Sequence, residues 1–493
     1  MSNQLIKHSM IYSLFQLFMI LAGLISFPIL TKTLSTEEYG ILGLITVTLS
    51  MLASFGKLGI QHGIIRYRED FEKTTFISNI TYLAFLGPFL LTLTLMALSL
   101  ILYQVGYIPA GHIDTVLIVI FLAFGEQVRY FIANYFISEQ QSSLVAKIRI
   151  LSKLITMVFT LSVVVLVLAS AKGFIYGFLV AEIIVFSLTL YIAKKQGLFT
   201  GIHLSKVSAK IYKPLLLFSI PLLGLEMVSM LHAFLDRYLI KYFMETRYLG
   251  YYTAYYNMAT MLAALIIGGL TTAIVPAYLK TWNEQGRKAT EALLNRILNL
   301  LLLMYPIIIV SFWVVAEELF ELLTTEEYVA YAYLLPLIAM GMLLQSAMPL
   351  FSAGLKIKKA SMVMFYCVIF SSILNLVLNL IFIPLYGLTA AAVATTVSYV
   401  CIAASFTYFG SGTLTPKVNL YILLRSCSYA GIFLLLSGYI QHDINIIQLI
   451  LKVGVGVVYF SVIFLLFEKP LTLFLFNSLL KRNLSAKQAV KPS

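Results

Sequence analysis

Apolar runs of about 20 residues recur from one end of this chain to the other, and they constrain its fold more than any other feature. A run of that length crosses the roughly 30 Å hydrocarbon core of a bilayer as one α-helix. Of the 493 residues, 60% are hydrophobic and 11% are charged. The first run, 9–30, is longer than a signal-peptide core and is not followed by a small-x-small cleavage site. The sequence therefore predicts an all-α polytopic membrane protein that keeps its first helix.

Fourteen such runs can be delimited, which is an even number of predicted membrane spans. The spans lie near 9–30, 40–64, 76–103, 113–138, 149–171, 173–193, 214–240, 249–279, 293–316, 331–353, 360–383, 387–409, 421–440 and 447–467. The loops between them alternate in charge: one set, with the two chain ends, holds 26 of the 34 basic residues. Because basic loops stay on the cytoplasmic side, we expect both termini in the cytoplasm.

The net charge of +13 has the same origin. Basic residues on one side of a membrane face anionic lipid headgroups, so nucleic acid is not needed as a partner. The three cysteines lie in or beside apolar runs and the six histidines are scattered, so the spacing predicts no disulfide, metal site or cofactor. No phosphate-binding loop and no Asp-x-Asp pair occurs, so we do not expect an enzyme.

The longest connection between spans, 194–213, separates two similar halves. The segment 36–67 aligns with 246–278 at an offset of 210 residues, which places Gly40 on Gly250. Internal repeats are typical of secondary transporters, whose substrate sites lie at the repeat interface. We predict two pseudo-symmetric six-helix lobes plus a C-terminal helix pair. The boundaries are 1–193 for the N-lobe, 194–213 for a cytoplasmic linker, 214–410 for the C-lobe, 411–468 for the helix pair and 469–493 for a basic cytoplasmic tail.

Three segments carry a resemblance to a known family. They are LTKTLSTEEYGILGL (30–44), DRYLIKYFMETRYLGYYTAYYNMA (236–259) and NLVLNLIFIPLYGLTAAAVATTVSY (375–399). With the fourteen-span layout, they resemble the polysaccharide (O-antigen type) flippases of the multidrug/oligosaccharidyl-lipid/polysaccharide exporter superfamily. The most specific piece is the Asn-rich helix followed by IPLYG and small residues. The resemblance covers essentially the whole chain.

This resemblance implies two helical bundles around a central cavity that opens alternately to the two sides of the membrane. The implied cargo is an oligosaccharide repeat unit on undecaprenyl pyrophosphate, flipped from the cytoplasmic to the outer leaflet of the bacterial inner membrane. The implied partners are this lipid-linked substrate, the membrane lipids and the polysaccharide polymerase machinery. O-antigen, capsule and other polymers stay open, as does the oligomeric state.

Seven ionisable residues lie inside the predicted spans, where a charge costs about 2.5–3.5 kcal/mol even on insertion scales. By default such residues face a bundle interior or a watery cavity. They are Lys57, Glu126, Arg129, Glu182, Glu226, Asp236 and Arg237, all within the first seven spans. We predict a partly cationic substrate cavity lined by Lys57, Glu126, Arg129, Glu226, Asp236, Arg237, Asn375 and Asn379, with Arg66 and Arg68 at its cytoplasmic mouth.

Two of these groups have alternative interpretations. Glu126 and Arg129 share one helix face, so they could neutralise each other, or Arg129 could meet a sugar or phosphate oxygen. Glu226 and Arg237 also share a face but lie about 16 Å apart along the helix, too far to pair. Asp236 and Arg237 could instead snorkel from the outer end of their span.

The other candidates stay open in a similar way. Lys57 could snorkel to the cytoplasm or contact phosphate as a point charge. Glu182 has no partner on its own helix, so it either pairs with another helix or titrates during transport, which makes Glu182 and Glu226 the candidates for ion coupling. Asn375 and Asn379 are four residues apart and could bond sugar hydroxyls or hold neighbouring helices.

Two functions remain compatible with the sequence. A lipid-linked oligosaccharide flippase needs a wet cavity with cationic contacts for the pyrophosphate. An ion-coupled multidrug or organic-cation antiporter of the same superfamily needs a cavity dominated by carboxylates. The three quoted segments favour the flippase.

Overall fold

The computed structural model describes residues 2–68, 70–199, 202–414 and 416–468, without the side chains of 2–16, 62, 65, 204, 221, 222 and 272. Within these ranges the regular structure consists of α-helices and one short 3-10 helix, with no strand. The helices are α1 (Ser2–Thr33), α2 (Thr36–Gly56), α3 (Ile60–Tyr67), α4 (Lys73–Gln104), α5 (Ile113–Ser138), α6 (Ser142–Leu166), α7 (Ala171–Lys195), the 3-10 helix Leu204–Lys206, α8 (Ala209–Phe243), α9 (Thr246–Leu323), α10 (Glu326–Val329), α11 (Leu334–Phe351), α12 (Ala353–Ile357), α13 (Ser361–Tyr386), α14 (Leu388–Gly410), α15 (Leu420–Ser437) and α16 (Asn445–Phe467). The predicted basic tail, 469–493, lies outside the described residues.

Twelve of the described helices are long and apolar enough to cross a membrane. The 78-residue segment α9 consists of two helices that meet at a kink at Gly286, whose φ of 75° and ψ of −167° are not helical. Counting its parts 246–285 and 287–323 separately, and adding α1 with its apolar part Leu17–Thr33, gives the fourteen predicted spans. The all-α polytopic fold class is confirmed.

Serine side chains fix the first turns of several helices. Ser35 Oγ accepts a hydrogen bond from Glu38 N at 3.2 Å, and Ser170 Oγ accepts one from Gly173 N at 3.1 Å. Ser208 caps α8 in the same way. Each cap satisfies a backbone N–H that has no partner inside the helix, so the helix begins at a defined residue.

The predicted second span, 40–64, is two helices rather than one. Lys57, Leu58 and Gly59 separate α2 from α3, and the last two have φ of 51° and 66°. Glycine adopts this conformation readily. A Cβ atom on Gly59 would lie 2.4 Å from the backbone oxygen of Ser219 in α8, so a larger residue does not fit. The break leaves Lys57 at the C-terminal end of a half-helix.

The two glycines that the internal repeat aligns lie against each other. A Cβ atom on Gly40 would lie 2.8 Å from Gly250 N, and one on Gly250 would lie 1.9 Å from Thr36 O. The backbones of α2 and α9 therefore cross at a distance that only glycine allows. The predicted pseudo-symmetry of two lobes stays a prediction.

Contacts between helices group the described chain into two compact units. The N unit comprises residues 8–254 and 368–387, and the C unit comprises the described residues within 1–7, 255–367 and 388–493. Helix α8 belongs to the N unit because α3 packs on it: a Cβ atom on Gly63 would lie 2.9 Å from Ser219 Oγ. This grouping by contacts does not follow the linker at 194–213, and the lobe boundaries stay a prediction.

Candidate substrate site

A cavity of ≈ 610 Å³ lies inside the N unit, lined by residues of α1, α2, α5, α6 and α7 and by the segment after α2. Its charged lining residues are Lys57, Glu126, Arg129, Arg149 and Lys153. Hydroxyl groups of threonine, serine and tyrosine complete the polar part, and Phe174 and Phe178 contribute apolar surface. Three of the predicted cavity residues, Lys57, Glu126 and Arg129, are therefore brought together. We call this space the cationic cavity.

Lys57 reaches the cationic cavity from the break between α2 and α3. Its ammonium lies 3.9 Å from the centre of the Tyr130 ring of α5, a cation–π contact. The charges of Glu126 and Glu226 attract the ammonium, and the charge of Arg149 repels it. Lys57 is half-buried, and both the phosphate contact and snorkelling to the cytoplasm stay predictions for it.

Arg129 forms a two-pronged ion pair with Glu182 of α7. Its Nε lies 2.9 Å from Oε1 and its Nη2 lies 2.7 Å from Oε2. Arg129 therefore pairs with Glu182 and not with Glu126, which was one of two alternatives, and Glu182 has the interhelical partner that the sequence left open. Gly125 makes the approach possible, because a Cβ atom there would lie 2.2 Å from Glu182 Oε1. The pair uses two of the five N–H groups of the guanidinium, and the arginine side chain is 19% exposed.

Arg149 and Lys153 are cavity residues that the sequence analysis did not single out. Span five was predicted to begin at 149, which placed its basic residues at the cytoplasmic end, whereas α6 begins at Ser142. The two side chains lie deeper in the helix, four residues apart on one face, and both are half-buried. The i, i+4 spacing of two cations beside Ser152 was the available signal.

The charges in the cationic cavity favour an anion. Glu182 neutralises Arg129 from a position that is only 2% exposed, and Glu126 is the one carboxylate among the described lining residues. Arg149 and Lys153 form no ion pair with a described residue. An arginine offers phosphate a planar fork and a lysine offers a point charge, so this pair fits a phosphate group.

Glu226 is not among the residues that line the cationic cavity. Gln61 of α3 donates its Nε2 to both carboxylate oxygens, at 3.2 and 3.1 Å. This contact ties α8 to the half-helix that follows the break. Because the side chain is half-buried and close enough to act on Lys57, Glu226 contributes to the electrostatics of the region without facing its main cavity.

Asp236 and Arg237 are buried inside the N unit, at 1% and 4% exposed. Tyr252 donates its hydroxyl to Asp236 Oδ2, and the backbone N–H of Arg237 donates to Oδ1 at 2.8 Å. The Arg237 guanidinium lies 5.4 Å from the Phe234 ring. The snorkelling alternative is wrong for this pair because both side chains are enclosed by protein, and neither lines the cationic cavity. The sequence analysis did not predict Tyr252 as the hydrogen-bond partner of Asp236.

Asn375 and Asn379 of α13 are fully buried. Asn379 donates its Nδ2 to Asn375 O at 2.8 Å and to Asn375 Oδ1 at 3.1 Å. Neither side chain reaches the cationic cavity. Both hydrogen bonds lie within α13, so the two alternatives that the sequence left open stay predictions.

The two arginines predicted at a cytoplasmic mouth have different environments. Arg66 is 61% exposed at its side chain, with Nη1 3.7 Å from Asp70. Arg68 donates to Glu139, whose other oxygen lies 2.8 Å from Lys73 Nζ. Burial raises the pKa of Glu139, but the hydrogen bonds and charges of Arg68 and Lys73 outweigh it and hold the pKa below its usual range. Arg68 is thus part of an ion-pair cluster, and Arg66 presents its charge to water.

A second cavity, of ≈ 910 Å³, lies in the C unit between residues of α9, α15 and α16. Its lining is almost wholly aliphatic and aromatic, and Lys452 is the one charged side chain among the described residues that form it. That ammonium contacts Glu318 and lies 3.1 Å from Val314 O, while Gln448 Nε2 donates to Glu318 Oε1 at 2.7 Å. This apolar cavity can hold a hydrocarbon chain but offers no unpaired cation to an anion.

Three solved structures share this fold. A lipid II flippase, MurJ, in an inward closed conformation, matches with a TM-score of 0.71 at 15% identity, over 92% of this chain and 99% of that one. An inward-facing multidrug resistance MATE transporter of the MOP superfamily matches with a TM-score of 0.61 at 14% identity, over 80% and 94%. A MOP-superfamily transporter from Pyrococcus furiosus, described as having a binding pocket of reverse polarity, matches with a TM-score of 0.54 at 15% identity, over 83% and 94%.

At such identities the likeness establishes the fold alone, and a search of curated protein sequences finds no match. A sequence-family model described as polysaccharide biosynthesis protein matches residues 29–333, which is more than half of the chain. The match includes every charged residue of the cationic cavity. The chain therefore belongs to the polysaccharide biosynthesis protein family and has the polytopic fold of the flippases and exporters of the MOP superfamily.

Proposed function

We propose that this protein is a flippase that moves undecaprenyl-pyrophosphate-linked oligosaccharide repeat units from the cytoplasmic to the outer leaflet, for O-antigen or related polysaccharide synthesis. The family description and the likeness to a lipid II flippase support this proposal. The protein would lie in the bacterial inner membrane with both termini in the cytoplasm, as the loop charges predict. The polymerase machinery would take up the translocated unit.

The observation that carries the proposal is the charge of the cationic cavity. A pyrophosphate cannot cross about 30 Å of hydrocarbon unaided, because removing a charge from water is costly. Arg149 and Lys153 supply positive charge that forms no ion pair with a described carboxylate, in a cavity that protein encloses in part. Electrostatic attraction is stronger there than in bulk water. These residues would replace the hydration of the pyrophosphate while the polyprenyl chain stays in lipid.

The other charged residues would have supporting roles in this function. Glu182 would hold the Arg129 guanidinium in a fixed orientation, so that its remaining N–H groups meet a phosphate oxygen. Lys57 would contact the same group from the helix break. Alternating access would carry the loaded cavity from one side of the membrane to the other. Glu182, paired with Arg129, and Glu226, hydrogen-bonded to Gln61, are the two candidates for ion coupling.

The competing function, an organic-cation antiporter, needs a cavity in which carboxylates dominate. The cationic cavity has four basic lining residues and one acidic residue, so its charge opposes a cationic substrate. A carboxylate-rich cavity of comparable size is not found among the described cavities. The antiporter is therefore kept only as an outcome of the experiment below.

The test is complementation of a strain from which the gene has been deleted. The double variant Arg149→Gln/Lys153→Gln should reach the membrane in normal amounts but reduce surface polymer at least tenfold, while lipid-linked repeat units accumulate on the cytoplasmic leaflet. The matched control, Lys280→Gln/Lys288→Gln, removes two exposed lysines elsewhere and should complement fully. Full complementation by both double variants, or loss of organic-cation efflux in place of polymer, would contradict the proposal.

A further inference from the structure

An open groove of ≈ 520 Å³ lies on the N unit, separate from the cationic cavity, with which it shares no residue. One wall is Tyr67 at the end of α3, and the other is the first part of α8. The α8 residues that line it are Ala209, Lys210, Lys213, Pro214, Leu217 and Phe218. We call it the interfacial groove, because α8 is expected to enter the membrane here from its cytoplasmic side.

The two lysines of the interfacial groove lack the carboxylate partners that other lysines near the same face possess. Lys73 pairs with Glu139 at 2.8 Å, and Lys206 lies 3.8 Å from Glu72. Lys210 and Lys213 form no ion pair with a described residue, and both are exposed. They lie three residues apart on one helix face, so both ammonium groups can reach one anion. Among the described residues that line the groove, none is acidic.

The polarity of the groove changes abruptly along α8. Lys213 is followed one turn later by Leu217 and then by Ile220, which are 65% and 53% exposed. One helical turn is about 5.4 Å, so the change from cationic to apolar occurs over the distance between the phosphate and the first methylenes of a phospholipid. The groove therefore places its lysines beside the phosphate of a membrane lipid and its apolar residues beside the acyl chains.

The walls of the groove are held in place. Tyr67 packs edge-to-face on Phe218, with ring centres 5.9 Å apart. Behind these rings, Gly59 and Gly63 bring α3 into backbone contact with Ser219 of α8. The close packing of α3 on α8 fixes Tyr67 relative to Phe218, so the groove is an open surface between two packed helices.

We propose that the interfacial groove binds an anionic glycerophospholipid of the cytoplasmic leaflet, such as phosphatidylglycerol. Lys210 and Lys213 hold the phosphate, and Leu217 and Phe218 contact the first part of the acyl chains. Basic pockets at the cytoplasmic ends of membrane helices select anionic lipids in this way. The lipid would sit against the pair α3–α8 and so against the helix break that carries Lys57. The site stands independently of the proposed transport function.

The test measures lipid binding to the purified full-length protein in detergent by native mass spectrometry, with phosphatidylglycerol and phosphatidylcholine of identical acyl chains. Wild type should bind one phosphatidylglycerol at least about tenfold more tightly than phosphatidylcholine, as two lysines near one phosphate imply. The variant Lys210→Gln/Lys213→Gln should lose that preference, and the single variant Lys213→Gln should lose part of it. The control Lys280→Gln/Lys288→Gln, which removes the same charge from exposed positions, should keep it.

Three results would overturn the proposal. The first is equal affinity of wild type for the two lipids. The second is an equal loss in the control variant, which would indicate general attraction by surface charge. The third is unchanged phosphatidylglycerol binding in Lys210→Gln/Lys213→Gln with loss of binding of a polyprenyl pyrophosphate, which would assign the groove to the transported substrate. Thermal unfolding of each variant, with the single variant as a milder case, shows that the protein measured is folded.

Discussion

The two large cavities differ in how their charges are paired. In the apolar cavity of the C unit, Lys452 is 14% exposed at its side chain and its partner Glu318 is 6% exposed. That ion pair joins α16 to α9, so the charge of Lys452 is neutralised within the protein. In the cationic cavity of the N unit, Arg149 and Lys153 have no carboxylate partner in the described chain. A membrane-embedded charge is thus evidence for a ligand only where no other side chain of the protein pairs with it.

Arg129 is paired with a buried carboxylate and also lines the cationic cavity. Its substitution should therefore have the largest effect on stability and on substrate binding together. Arg129→Ala leaves Glu182 buried without its partner, which costs about 3 kcal/mol of unfolding free energy and removes a phosphate contact. The double variant Arg129→Gln/Glu182→Gln replaces the ion pair with neutral groups and should regain most of the stability. Affinity for a polyprenyl pyrophosphate should stay low. Thermal unfolding and lipid binding of the two variants separate these effects, and recovery of both would assign Arg129 a structural role alone.

Gly125→Ala should disturb the Arg129–Glu182 ion pair by displacing the carboxylate. The new methyl group would lie 2.2 Å from Glu182 Oε1, so the carboxylate must move, at about 1–3 kcal/mol. Gly269→Ala is the matched control, because nothing lies within 4 Å of its Cβ position and alanine is the better helix former. The control should unfold at the wild-type temperature or slightly above it. A Gly125→Ala protein as stable as its control would mean that the Arg129–Glu182 contact is not close-packed.

Lys452→Gln tests the ion pair at the apolar cavity of the C unit. The variant removes the charged partner of Glu318 but leaves the Gln448 hydrogen bond, so the loss of unfolding free energy should be about 1–3 kcal/mol. Binding of a polyprenyl pyrophosphate should change by less than about twofold, because this lysine is already neutralised. A large loss of affinity in the folded variant would show that the apolar cavity also recognises the anion.

Glu139 gives the smallest expected effect, and it depends on pH. Its folded-state pKa lies below the ordinary value of 4.5, so its stabilisation is present above that value and is lost as the pH falls through the folded-state pKa. Because the cluster is partly exposed, the contribution should be under about 1 kcal/mol. The unfolding temperature of wild type should therefore exceed that of Glu139→Gln by a constant amount above about pH 5. The difference between the two temperatures should disappear as the pH is lowered. A gap that does not narrow as the pH is lowered through the acid range would contradict this assignment.

The helices were largely predictable because hydrocarbon length and residue hydrophobicity set them locally. The predicted span 113–138 coincides with α5, and the repeat that paired Gly40 with Gly250 located a real backbone contact. The break between α2 and α3 was missed, since it depends on the approach of Gly59 to Ser219, which is far away in sequence. Local composition carries no trace of that contact.

The site was predictable only in part, for the same reason. The choice of Arg129 and Lys57 followed from the cost of burying charge, which is a local argument. The partner of Glu182 lies on another helix, and Arg149 was assigned to the cytoplasmic end because the span was begun too late. The environment of Asp236 was predicted from its position along the helix, whereas the structure shows it buried and hydrogen-bonded to the hydroxyl of Tyr252.

The most direct test is the affinity of the purified protein for undecaprenyl pyrophosphate, measured at several salt concentrations for wild type and for Arg149→Gln/Lys153→Gln. If these two side chains hold the phosphates inside the cationic cavity, the variant should bind at least tenfold more weakly and show a flatter dependence on salt. Equal affinities and equal salt dependence would contradict the account, because the unpaired charges of the N unit would then have no part in recognising the substrate.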